Sequence, residues 1–202
     1  MANQVLQRMW RMANVSYKSP RVVTLCMSIQ DTVRFVGELM AVSAKTAPKA
    51  VGQDFIEIKL ADESERIALG ADMIQIGKER RIPGFERDGQ NVMDSDAVLL
   101  LGILPHKGIG LNCGACGHAS CEEFNKQSGK GDFEGPSCAI RLLDLGIALG
   151  SAAKTASEHN IDNRIMYRIG VSAKRLGMME SRLVHGIPLS AKGKNIFFDR
   201  GR

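Results

Sequence analysis

Aromatic residues make up only 5% of this 202-residue sequence, so any core must be built mainly from aliphatic side chains. Long apolar runs are also missing. The longest extends from Ala97 to Leu104 with Gly102 inside it, well short of the roughly 18 residues that a membrane-spanning helix needs. Residues 1–12 carry Arg8 and Arg11 but no apolar stretch, which gives neither a signal peptide nor a lipid anchor. The net charge of +5 is spread along the chain without a basic block of the kind that binds nucleic acid. G-x-S-x-G, H-E-x-x-H and G-x-G-x-x-G are all absent, so hydrolase and nucleotide-dehydrogenase chemistry find little support. There is no internal repeat and no low-complexity tract.

Cysteine is present, and it is concentrated. Four of the five cysteines fall between Cys113 and Cys138 with the spacing C-x2-C-x4-C-x16-C. A cubane iron–sulfur cluster needs four converging thiolates, and a tight loop can supply three of them if its backbone folds around the cluster. Gly114 and Gly117 give the loop that freedom. Ser120 and Glu123 form an S-x-x-E pattern that predicts a helix beginning at Cys121, and Ser137 stands in the same relation to Cys138. Both thiolates would then sit where a helix dipole favours an anion.

Three readings compete for Cys113, Cys116, Cys121 and Cys138. A disulfide framework is disfavoured by the absence of a secretory segment and by the length of the chain. Structural zinc usually takes two short cysteine knuckles, whereas the second half here is Cys138 alone, yet a zinc-binding interaction module stays open. Unrelated buried thiols would not explain the clustering. The preferred reading is a 4Fe-4S cluster that moves single electrons.

The four-cysteine arrangement resembles the iron–sulfur domain of the corrinoid iron–sulfur protein and related anaerobic electron-transfer subunits, which implies one 4Fe-4S cluster on these four ligands. A longer resemblance runs from about Lys45 to Arg200 through Thr46–Lys49, the cysteine block, Asp144–Ala148, Asp162–Tyr167 and Gly193–Arg200. Those segments are similar to a ferredoxin-domain family of bacteria and archaea with no assigned reaction. A weaker resemblance, over Lys45–Leu60 and Asp144–Pro188, is to flavin-binding nitroreductase-like proteins. The basic flavin-phosphate motif expected near the N-terminus is not evident, and a flavin-linked oxidoreductase using the cluster as a relay is the alternative it implies.

Other residues carry weaker signals. His118 lies inside the cysteine loop and His106 at its mouth, while Cys26 reads as a small buried hydrophobe outside the site. Lys192 and Lys194 flank Gly193 in a loop that lacks the upstream glycine of a phosphate-binding motif and reads as a solvated basic turn.

The pattern predicts a docking segment over 1–20 and one α+β domain over 21–202, with a mixed sheet flanked by helices and the cluster-binding region at 106–140. Helices are predicted over Ile29–Ala47, Ser64–Lys78 with Ile67, Ala71 and Ile74 inward, Ala139–Glu158 and Asn163–Leu176 with Ile165, Ile169, Ala173 and Leu176 inward. Strands are predicted over Asp54–Leu60, Ala97–Leu104 and Arg182–Leu189. Arg80–Ser95, rich in Pro, Gly, Asp and Asn, reads as loop. Gly146, Gly150 and Ala153 give the long helix a small-residue face, suited to close helix packing or to a cofactor lying flat. The composition suits a reducing cytoplasm, an unidentified redox partner protein and no nucleic acid or membrane, and it leaves homo-oligomerisation open.

Overall fold

A computed structural model of the chain describes residues 27–198. The docking segment expected over 1–20 and Cys26 lie outside them. Helix α1, Ile29–Thr46, opens on a capping box in which Ser28 accepts from the Asp31 N–H and Asp31 returns the bond to Ser28. Val33, Val36, Met40 and Ala44 recur at helical spacing and are buried, and the helix stops before Pro48. A short 3-10 turn, Ala50–Gly52, leads into β1, Ile56–Leu60.

Helix α2, Glu63–Arg80, starts on a second capping box, between Asp62 and Glu65. Its buried face is Leu69, Met73 and Ile76; Ile67 and Ala71, expected inward, are exposed. Apolar residues occur on more than one side of this helix, so the neighbours it packs against select the face. The segment expected to be loop contains α3, Pro83–Asp94. Pro83 occupies the first turn, where its missing N–H costs nothing. Gly89 is a contact rather than a break: a Cβ built on it would lie 2.7 Å from the Gly70 carbonyl oxygen, so α2 and α3 touch backbone to backbone.

Strand β2, Ala97–Ile103, is buried along its whole length. After the cysteine region come the helix α4, Cys121–Asn125, and a small hairpin of β3, Gly129–Lys130, and β4, Glu134–Gly135. Helix α5, Ala139–Glu158, β5, Asp162–Asn163, α6, Tyr167–Arg175, and β6, Leu183–Ser190, complete the described chain. Helix α6 is shorter than expected because Met166 bridges to Gly186 just ahead of it, leaving Ile165 exposed. Leu176, also expected inward, caps the other end and is exposed too.

The main sheet has the order β1-β2-β6-β5, an α+β arrangement with helices on both faces. All of its pairs are antiparallel, with Ile56 opposite Ile103 and Leu101 opposite His185, where a mixture of directions was expected. The two helices between β1 and β2 explain this. One helix would carry the chain to the far end of the sheet, whereas the α2–α3 hairpin returns it to the end it left.

Two clusters of apolar side chains sandwich the sheet. On one face α1 and α5 cover Leu99, Leu101, Ile187 and Leu189; on the other α2, α3 and α6 cover Val98, Leu100 and Val184. A strand buried on both sides must be apolar throughout, which is why β2 reads as an unbroken run. Each such aliphatic side chain contributes about 1.5–3 kcal/mol through burial. No helix among the described residues is long and apolar enough to cross a membrane.

Candidate metal centre

Strand β2 runs out of the core into the cysteine region. Leu104 still pairs with the sheet through a bond from its N–H to the Phe55 carbonyl, and Pro105 then turns the chain to His106. The His106 Nδ1 lies 2.9 Å from the Leu104 carbonyl and its Nε2 lies 3.1 Å from the Cys138 N–H nitrogen. Only one tautomer satisfies both: Nδ1–H donates to Leu104, and Nε2 accepts from Cys138. Burial pushes His106 below the usual imidazole value against the opposing pull of the Leu104 carbonyl, and the charges of Arg182 and Arg141 lower it further. The ring is therefore held neutral, as its acceptor role requires.

Gly108, Asn112 and α4 build the near wall. The Gly108 N–H donates to Asn125 Oδ1 at 2.8 Å, and a Cβ on Gly108 would stand 3.2 Å from Cys121 Sγ. Asn112 and Cys121 bond reciprocally: the Cys121 N–H donates to Asn112 Oδ1 at 2.8 Å, and the Asn112 N–H points at Cys121 Sγ at 3.4 Å. Gly114 and Gly117 adopt φ of +70° and +86°, where a side chain would strain the turn that carries Cys116. Ser120 caps α4 as expected by accepting from the Glu123 N–H, but the Glu123 carboxylate accepts from Ala119 instead of closing the box.

Cys138 differs from the expectation that Ser137 would cap the next helix. It is itself the N-cap of α5, without a side-chain cap bond, and its own N–H donates to His106. Below it Arg141 is buried, donating to the carbonyls of Ala50 and Gln53, to Gln53 Oε1 and to Asp144 Oδ2, while Asp144 Oδ1 accepts from the Ala50 N–H. Phe55 lies between this ion pair and the imidazole, 4.7 Å from the Arg141 guanidinium and edge-on to His106. The fourth cysteine thus rests on a support that runs back to the sheet.

Cys113 is exposed, Cys116 and Cys121 are half-buried and Cys138 is buried. All four line one pocket, together with His118, Asn112, Ile109, Leu111 and Phe124. His118 stacks edge-on against Phe124 and makes no cysteine contact that the structure defines. Among the described residues no three His, Cys, Asp or Glu side chains are gathered as they would be around a single metal ion. The chemistry of the donors nevertheless suits a group that needs several thiolates at once: four cysteines line one pocket, and the Asn112 N–H points at one of their sulfurs.

Sequence reasoning passed over Asn112 and placed His106 only at the mouth of the loop. The position of Asn112 directly before Cys113, in a left-handed conformation that asparagine tolerates, was the available signal.

Lys192, from the loop with weak phosphate-binding character, donates to the Asp94 carbonyl. Among the described residues nothing lies within 4 Å of a Cβ built on Gly146 or Gly150 of α5.

Comparison with known proteins bears on both fold and site. Two solved structures share the fold: an NADPH:FMN oxidoreductase from Vibrio harveyi complexed with NAD+ and nitroreductase A from Vibrio parahaemolyticus. Each has a TM-score of 0.50 and 11% sequence identity over 80% of this chain. The chain spans only 60% and 59% of their lengths. A protein of Archaeoglobus fulgidus described as "Uncharacterized protein" is 48% identical over 173 residues, covering 84% of this chain and 92% of that one. Residues 134–200, which include Cys138, match the family described as "Uncharacterized protein containing a ferredoxin domain (DUF2148)". The chain belongs to this ferredoxin-domain family, and such a domain implies an iron–sulfur cluster.

Proposed function

We propose that Cys113, Cys116, Cys121 and Cys138 hold one 4Fe-4S cluster within the region 106–140, and that the protein carries single electrons between partner proteins. The observation that carries this reading is that all four cysteines line one pocket, with the Asn112 N–H directed at one of the sulfurs. The spacing, like that of the corrinoid iron–sulfur protein domain, supports the cubane type.

The bound cluster supplies one-electron chemistry: an electron enters from a reduced donor and leaves to an oxidised acceptor, and four protein ligands leave no iron open for a substrate. The chain's own residues do the rest. Asn112 and Gly108 fix Cys121, His106 fixes Cys138, and the buried Phe124 limits water on one wall of the pocket. A reducing cytoplasm is the setting in which such thiolates persist.

The test is anaerobic purification with iron, sulfide, zinc and flavin measured on one sample. About four iron and four sulfide per chain, with colour that bleaches on reduction, are expected. Zinc without sulfide would make the region a structural clasp and overturn the reading. In the Cys121→Ser variant iron content should fall sharply; unchanged iron and colour would remove Cys121 from the ligand set. A second reading, a flavin-linked oxidoreductase, draws on the fold shared with the NADPH:FMN oxidoreductase and on the open face of α5. Stoichiometric flavin in the same sample would select it.

A further inference from the structure

Among the described residues, nothing packs on the outer face of α5 at Gly146 and Gly150. The opposite face packs into the sheet through Leu145, Ala148, Ala152 and Ala156. Outward, Leu143 is 61% and Ile147 45% exposed, with Gly146 and Gly150 between and beside them. Helical glycines elsewhere in the described residues have a packing reason. A Cβ built on Gly37, Gly70, Gly77, Gly84, Gly89 or Gly170 would come within 3 Å of a neighbouring atom. At Gly146 and Gly150 it would meet nothing within 4 Å. Each glycine costs a helix interior about 1 kcal/mol relative to alanine, and no packing among the described residues offsets that cost at these two.

We propose that this face is the contact between two copies of the chain, packed α5 against α5 across Gly146 and Gly150. Four residues apart, the two glycines lie on one stripe and let a second helix backbone approach closely, while Leu143 and Ile147 supply apolar area beside them. The surface is self-complementary, as a two-fold contact requires: the glycine groove of one helix receives the leucine and isoleucine of the other.

The available area is sufficient. Helix α1 lies alongside α5 on the same face of the sheet and exposes Phe35 and Val42 outward. Two helices about 30 Å long and about 10 Å apart present roughly 600 Å2 per copy, at the lower end of what specific dimers bury. A flat cofactor fits less well, because ligand sites carry placed polar groups and the stretch from Leu143 to Gly150 presents apolar and glycine surface. Cys138 begins the same helix, so Gly146 lies only about 12 Å along the axis from the fourth cysteine. Dimerisation would bring two cysteine pockets to one shared interface.

Sedimentation of the full chain, purified without oxygen, tests this between about 1 and 100 μM. The wild type is expected to dimerise, and Gly146→Leu/Gly150→Leu to weaken the dimer at least tenfold without lowering the melting temperature of the monomer. Ile147→Lys should weaken it as well, and it serves if the double variant does not fold. A wild type that stays monomeric at the highest concentration overturns the proposal, whether flavin or residues 1–26 prove to cover the face. So does undiminished dimerisation of both variants. Metal content, measured separately, bears only on the cluster.

Discussion

The two sides of the sheet are closed by helices in different ways. On the α2, α3 and α6 side, glycines bring backbones into contact: Gly70 meets Gly89, and Gly170 lies so close to β6 that an added Cβ would fall 1.7 Å from the Val184 carbonyl oxygen. On the α1 and α5 side, polar atoms are buried beneath the helix and glycines are left open above it. Both sides hold a buried ion pair, Asp88 with Arg168 on the first and Arg141 with Asp144 on the second. The second adds a buried histidine and a face that no described residue covers.

Breaking the second ion pair should have the largest effect. Asp144→Ala would leave the buried Arg141 guanidinium without its carboxylate and the Ala50 N–H without its acceptor. A loss of about 3–5 kcal/mol is expected in urea unfolding, and a loss below about 1 kcal/mol would show that backbone carbonyls alone satisfy the guanidinium. Gly170→Ala strikes the opposite side. Its Cβ would collide with backbone that cannot swing away, so destabilisation of about 3 kcal/mol is expected by the same measurement.

Acid should weaken the α5 side. Burial pushes His185 below its ordinary value of 6.5, and its Nδ1 has no partner among the described residues. Near and below pH 6.5 the unfolded chain therefore binds the proton more readily than the folded one, and stability falls as pH drops from 7 towards 5. His106 acts in the same direction. His185→Leu should make the slope shallower without abolishing it, and an unchanged slope would place the titration elsewhere. The smallest change sharpens the contrast between glycines: Gly146→Ala should raise the stability of the isolated chain by about 1 kcal/mol, opposite in sign to Gly170→Ala.

Much of this architecture was legible in the sequence because it is local. The helical spacing of Val33, Val36, Met40 and Ala44 announces α1, the run from Ala97 to Leu104 carries the signature of a strand buried on both faces, and the cysteine spacing singles out the residues that line the pocket. What escaped depends on distant partners. Pro83 and Gly89 look like loop residues until α2 lies against them, and without α3 the direction of β2 cannot be deduced. The bond between His106 and Cys138 joins residues 32 positions apart, and no periodicity encodes it. The inward face of α2 was likewise chosen by its neighbours.

His106 holds the backbone of Cys138 and leaves the thiol alone. Position 138 is therefore fixed independently of the side chain it displays. A serine there would be presented from the same spot, by the same strut, at the head of the same helix. Were the proposed cluster held here, its donor could be exchanged at this residue while the backbone that presents it stayed in place.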